Sequence, residues 1–80
     1  MNTIPDPNCF DTCPLCGNKN LITVKLKNQY ETFNDCDDCG LLITFLDGKV
    51  VSSYRKKTII LERKVNKEDF VRILKLQAFQ

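Results

Sequence analysis

Between residues 21 and 61 apolar and polar positions follow a two-residue period, and beyond Asn66 the period lengthens to that of a helix. Leu21 to Lys27 sets Ile22, Val24 and Leu26 against Thr23 and Lys25, the alternation of a half-buried strand. Tyr30 to Asn34 is aromatic and β-prone, and Leu41 to Leu46 is a nearly unbroken apolar run. That run ends on Asp47-Gly48, a dipeptide that favours a tight hairpin, and Lys49 to Tyr54 supplies the returning strand. Thr58 to Leu61 is a candidate further strand, followed by the charged Glu62, Arg63 and Lys64.

The C-terminal segment opens with a helix start signal. Asn66 stands three residues before Asp69, where its side chain can cap the first turn, and the acidic pair Glu68 and Asp69 suits the positive end of the helix dipole. At about 100° per residue, Phe70, Val71, Ile73, Leu74 and Ala78 share one face. Leu76 and Phe79 fall on the other side, among Arg72 and Lys75. They mark either the fraying end of a helix beside a short core or a second apolar contact, with a partner or another copy. The expected organisation is an N-terminal arm over 1–8, a β domain over 9–64, and an amphipathic helix over 65–80 that packs on the β domain or extends from it.

Length then makes the cysteines decisive. An unaided core in a chain of 80 residues rarely supplies more than about 3 to 5 kcal/mol, whereas a structural zinc contributes an apparent value of about 10 to 16 kcal/mol in small peptides. Five cysteines is an odd number, no basic cluster followed by an apolar run opens the chain, and four of the five lie at C-x2-C-x19-C-x2-C. This favours a metal site in a reducing compartment, cytoplasmic or nuclear rather than secreted, over a disulfide framework or reactive thiols. Two residues between thiols let a short turn aim both sulfurs at one ion about 2.3 Å away. A glycine after the second cysteine takes the positive φ that turns backbone N–H groups towards the sulfurs, and Gly17 and Gly40 stand there.

Cys13-Pro14-Leu15-Cys16-Gly17 and Cys36-Asp37-Asp38-Cys39-Gly40 resemble the paired knuckles of the zinc ribbons, small antiparallel sheets found in transcription factors, RNA polymerase subunits and small phage regulators. The resemblance spans roughly residues 10 to 54. It implies a small metal-stapled β domain, a zinc ribbon with an antiparallel sheet and here one C-terminal α-helix. It also implies one structural Zn2+ on Cys13, Cys16, Cys36 and Cys39, the same four thiols that the spacing selects. Cys9 lies outside the pattern and, beside Phe10, reads as a buried structural thiol, with a spare ligand or an intermolecular link as the sharper alternatives.

Charge divides the sequence in two. Residues 1–48 carry three lysines against seven acidic groups, a net −4, and residues 49–80 carry nine basic groups against three acidic ones, a net +6. Arg55, Lys56 and Lys57 with Arg63 and Lys64 form a basic cluster that reads as a phosphate contact, a protein contact or a plain solvated surface. Asp35, Asp37 and Asp38 crowd the second knuckle, repel phosphate and suit a basic protein surface better. The linear order suggests an acidic metal end and a basic tail.

The chain contains no histidine, and four thiolates close a zinc site that catalysis would keep open, so no enzyme is expected. Polymerase cleavage factors with a similar ribbon carry an acidic pair on a long loop before the third cysteine; here Glu31 and Asp35 stand apart without such a loop. The function expected is that of a binding module or small regulator in nucleic-acid machinery, most of all transcription. It would contact a protein partner, with nucleic acid as a further target and self-association through Leu76 and Phe79 as a third outcome; no membrane contact is expected. The rivals are a rubredoxin-like iron carrier, which uses the same sulfur geometry, and a self-associating structural zinc module.

Overall fold

The computed structural model describes residues 9–25 and 31–78. Five antiparallel strands lie in the sheet in chain order: β1 (Ile22–Lys25), β2 (Glu31–Asp35), β3 (Leu41–Leu46), β4 (Lys49–Arg55) and β5 (Thr58–Leu61). The helix α1 (Lys67–Ala78) follows. The expected arm over 1–8, and Leu26, Lys27, Tyr30 and Phe79 of the expected strands and helix, lie outside the described residues. Among those described, no helix is long and apolar enough to cross a membrane.

One face of the sheet is buried from β2 to β5, but β1 departs from the half-buried alternation expected of it. Its four residues are exposed, and at this sheet edge Thr23 and Lys25, not Ile22 and Val24, pair with the buried Asn34 and Thr32. Thr32 and Asn34 on β2, and Leu41, Ile43 and Phe45 on β3, are buried on one face, together with Val50, Ser53 and Leu61 from β4 and β5. α1 sets Phe70 and Leu74 into this core, and Phe10 joins its ring to Phe45 and Phe70 at centroid distances of 5.6 and 6.1 Å. The helix begins as its cap signal says: Asn66 Oδ1 accepts the Asp69 N–H at 2.8 Å. Val71 and Ile73 are half-buried at the margin, and Leu76 is 68% exposed.

The β3–β4 turn holds Asp47 at φ 57° and Gly48 at φ 79°, the double positive φ of the tight hairpin that Asp-Gly favours. Two bulges then reset the register. Between Thr44 and Phe45 the pairing slips by one residue, so that Val50 faces inward opposite Phe45, while Ser53 and Arg55 pair with Ile43 and Leu41. Ser53 satisfies its buried hydroxyl by donating to the Leu42 carbonyl at 2.9 Å. The second slip lies between Ser53 and Tyr54, and it leaves Ile60 as the extra residue on β5. The Ile60 carbonyl accepts a hydrogen bond from Gln77 Nε2 at 3.4 Å, which ties the end of α1 to this edge strand.

The opposite face of the sheet was not legible as a feature in the one-dimensional pattern. Ile22, Val24, Leu46 and Ile59 stand on it exposed, and α1 lies on the other side.

Candidate metal centre

Each Cys-x-x-Cys-Gly unit is closed by the same two main-chain hydrogen bonds. In the first, Gly17 N–H donates to the Cys13 carbonyl at 2.9 Å and Cys13 N–H to the Asn18 carbonyl at 2.8 Å. In the second, Gly40 N–H donates to the Cys36 carbonyl and Cys36 N–H to the Leu41 carbonyl, both at 2.9 Å. The glycines stand at φ 82° and 78°, where a side chain is strained, so the residue after each second cysteine is dictated by the backbone.

The units meet sulfur to sulfur. Cys13 Sγ lies 3.6 Å from Cys39 Sγ and Cys16 Sγ 3.5 Å from Cys36 Sγ, and all four sulfurs fall within 4.8 Å of one another. None is disulfide-bonded. Four ligands about 2.3 Å from a tetrahedral ion stand about 3.8 Å apart, close to those two sulfur separations, so this group could hold one metal ion. Three of the four thiols are buried and Cys16 is exposed.

The electrostatics of the bare thiols point the same way. Burial pushes the Cys39 thiol up to about 12, with the Cys36, Cys13 and Cys16 thiols adding to it against the Leu41 N–H. Burial acts upward on Cys36 too, but the Cys39 N–H, the Asn18 amide and the Cys16 and Cys39 thiols outweigh it and bring the group down to about 6. Negative charge is accepted at one sulfur and resisted at another, and a cation among the four removes that conflict.

Comparison with protein-family models, with curated proteins and with solved structures returned no match. The likeness to zinc ribbons therefore rests on the knuckle residues and on the geometry of the four sulfurs.

The basic residues do not stay away from the metal site as the linear charge order suggests. β3 leaves the second knuckle and β4 returns to it, so Arg55 pairs with Leu41. Arg55 Nε donates to the Cys39 carbonyl at 3.2 Å, and Lys56 N–H donates to the Gly40 carbonyl at 3.0 Å. Two cations of the tail thus sit on the acidic knuckle, and the division into an acidic end and a basic end is corrected. The two-residue turn at Asp47-Gly48 already encoded this return. Lys57 shares the turn with Lys56, but Arg63 and Lys64 lie past the far end of β5, next to Val65, which bridges to Val50. A four-residue strand is about 13 Å long, so the five expected cations form two groups. Leu76 is exposed on α1.

Two asparagines that sequence patterning did not single out brace the site. Asn18 Nδ2 donates to Cys36 Sγ at 3.6 Å, linking the first knuckle to a ligand of the second. Asn34, fully buried, accepts the Phe10 N–H at 2.8 Å and donates to Thr23 Oγ1 at 3.0 Å, which holds the segment leading into the first knuckle against β2. Lys67 Nζ completes that clamp, donating to the Cys9 carbonyl at 2.8 Å and lying 4.9 Å from the Phe10 ring centroid. Cys9 itself is buried in the core and is not one of the four clustered thiols.

Proposed function

We propose that this chain is a zinc-ribbon binding module, a small regulator that contacts the machinery of nucleic-acid transactions and of transcription in particular. The observation that carries the proposal is the joining of a closed four-thiol site to a pair of cations through the Cys39 and Gly40 carbonyls. Cys13, Cys16, Cys36 and Cys39 would hold one structural Zn2+, which when bound supplies charge neutralisation and a rigid cross-link rather than an open coordination position. The knuckles then fix the β4–β5 turn, and the turn presents Arg55, Lys56 and Lys57. Arg63, Lys64 and Leu76 offer further, separate contacts; Phe79 belongs with Leu76 by sequence.

A second reading, the iron electron carrier, draws support from the exposed Cys16, since a surface sulfur suits electron exit. Both are tested on protein purified without added metal. One zinc per chain and no colour are expected; a red protein with iron in the same ratio would replace the binding module by the carrier. For the partner, the zinc-loaded chain is used as bait in native extract with and without nuclease. Retention of transcription proteins in both arms is expected, and loss of every specific partner in both would overturn the proposal.

A further inference from the structure

We propose that the cleft between the first knuckle, the β4–β5 turn and α1 is a docking site for an acidic, apolar segment of a partner protein. The inference deepens the binding-module reading and rests on it. The cleft has a volume of about 390 Å³, room for one or two side chains. Its apolar lining comes from three separate elements: Leu15 of the first knuckle, Ile60 at the β5 bulge and Leu74 of α1. Arg55 and Lys56 line one side, and Thr58 and Gln77 add a hydroxyl and an amide.

Charge selects the occupant. Among the described residues neither Arg55 nor Lys56 has a carboxylate partner, and both are exposed. Arg55 is oriented by its Nε bond to the Cys39 carbonyl, which leaves its terminal nitrogens available. Lys56 stands at φ 57°, a conformation that glycine adopts without cost and a lysine does not. Its stem runs so close to Gly40 that a Cβ there would lie 2.9 Å from Lys56 Cγ. The turn backbone thus fixes where the lysine stem leaves the chain, and tethers its cation at the lip of an apolar cleft.

A nucleic acid fits this cleft less well than a peptide. The lining contains no aromatic ring on which a base would stack, and only two cations, whereas a phosphate backbone wants a row of them. Arg63 and Lys64, which would lengthen such a row, lie beyond the other end of β5. A large aliphatic side chain between carboxylates satisfies both the floor and the rim.

The test is a titration of the isotope-labelled, zinc-loaded full chain, followed by amide resonances. The probe is a short synthetic peptide with a central Leu flanked on both sides by Asp and Glu. Matched controls replace the acids by Lys, or the Leu by Ser. The acidic peptide should shift Leu15, Thr58, Ile60 and Gln77, and the controls should not. Lys56→Gly relaxes the turn, so it should keep zinc and fold while weakening the peptide about fivefold at low salt. Thr58→Glu places a like charge on an exposed cleft position and should weaken it roughly tenfold or more. Unchanged affinity in both variants overturns the proposal. So does an oligonucleotide, single-stranded or duplex, that moves these resonances when the peptide does not, or self-association by sedimentation as the only source of their shifts. The wider reading is separated by repeating the extract capture with Thr58→Glu: partners retained there leave a binding module without this cleft, and partners absent even from the wild type remove the module itself.

Discussion

The two knuckles are the same object in two settings. Their main-chain bonds, glycine conformations and cysteine spacing match within the first few tenths of an ångström and the first few degrees. Their surroundings do not. Nothing lies within 4 Å of a Cβ built on Gly17, whereas one built on Gly40 meets the stem and backbone of Lys56. Cys16 is exposed, while both cysteines of the second unit are buried and its carbonyls at Cys39 and Gly40 anchor the β4–β5 turn. The ligating loop is a local device that five residues specify. What it supports is decided by the sheet, and here the sheet folds its last hairpin onto the second unit.

The comparison is tested hardest through the ligands. Cys39→Ser removes a buried ligand from the braced knuckle and should abolish stoichiometric metal and cooperative unfolding together, because metal binding energy is folding energy in a domain this small. Cys16→Ser leaves three thiolates and a position that water can reach, so it should bind metal more weakly yet still fold when metal is in excess. Cys9→Ser should keep the ion and lose only local packing. Metal content and thermal unfolding of the three variants are the readout; equal damage from Cys16→Ser and Cys39→Ser would make the knuckles equivalent after all. Chelation should unfold the wild type. Acidification should as well: ligands bind as thiolates, Cys39 in the bare site holds its proton up to about 12, and each fall in pH lets protons compete further with the ion.

Much of this was legible in the sequence, because its signals are short-range. The cysteine spacing located the four sulfurs that now cluster, Asp47-Gly48 located the hairpin, and Asn66 located the helix cap. Bulges are long-range, and they were not visible. The slip at Thr44/Phe45 gives Arg55 its place opposite Leu41 and turns Tyr54 to the other face, and no local propensity in Val50 or Val51 announces it. The buried Asn34 escaped for a similar reason. An asparagine ending a β-prone run reads as a strand terminus, and only the approach of Phe10 and Thr23 from elsewhere in the chain makes it a clamp. Charge summed along the chain misled because a meander returns each strand to the start of its neighbour.

A smaller contrast sits on α1. Leu74 is 2% exposed and lines both the core and the cleft, so Leu74→Ala should cost about 2 to 5 kcal/mol. Leu76, 68% exposed, should accept Ser with a change within about 0.5 kcal/mol. Denaturant midpoints of the metal-loaded variants decide it. A large loss from Leu76→Ser would place that side chain in the core and withdraw it as a contact for a partner or another copy.

The finest distinction between the knuckles is carried by one methyl group. Gly17→Ala must hold alanine at φ 82° in open space, which should cost about 1 to 2 kcal/mol from backbone strain alone. Gly40→Ala bears the same strain at φ 78° and in addition drives its Cβ to 2.9 Å from Lys56 Cγ, for a further loss of about 1 kcal/mol. The Lys56 N–H is held by the Gly40 carbonyl, so the backbone stays in place and relief takes a rotation of the lysine stem about χ1. Lys56→Gly removes the stem and relieves its own φ of 57°, so in that background Gly40→Ala should cost no more than Gly17→Ala does in the wild type. The double-mutant cycle isolates the contact, with chemical unfolding of zinc-loaded protein as the measurement. A Gly40→Ala loss that is identical in both backgrounds would mean that the turn does not press on the second knuckle, and the asymmetry between the two units would then reduce to the exposure of their cysteines.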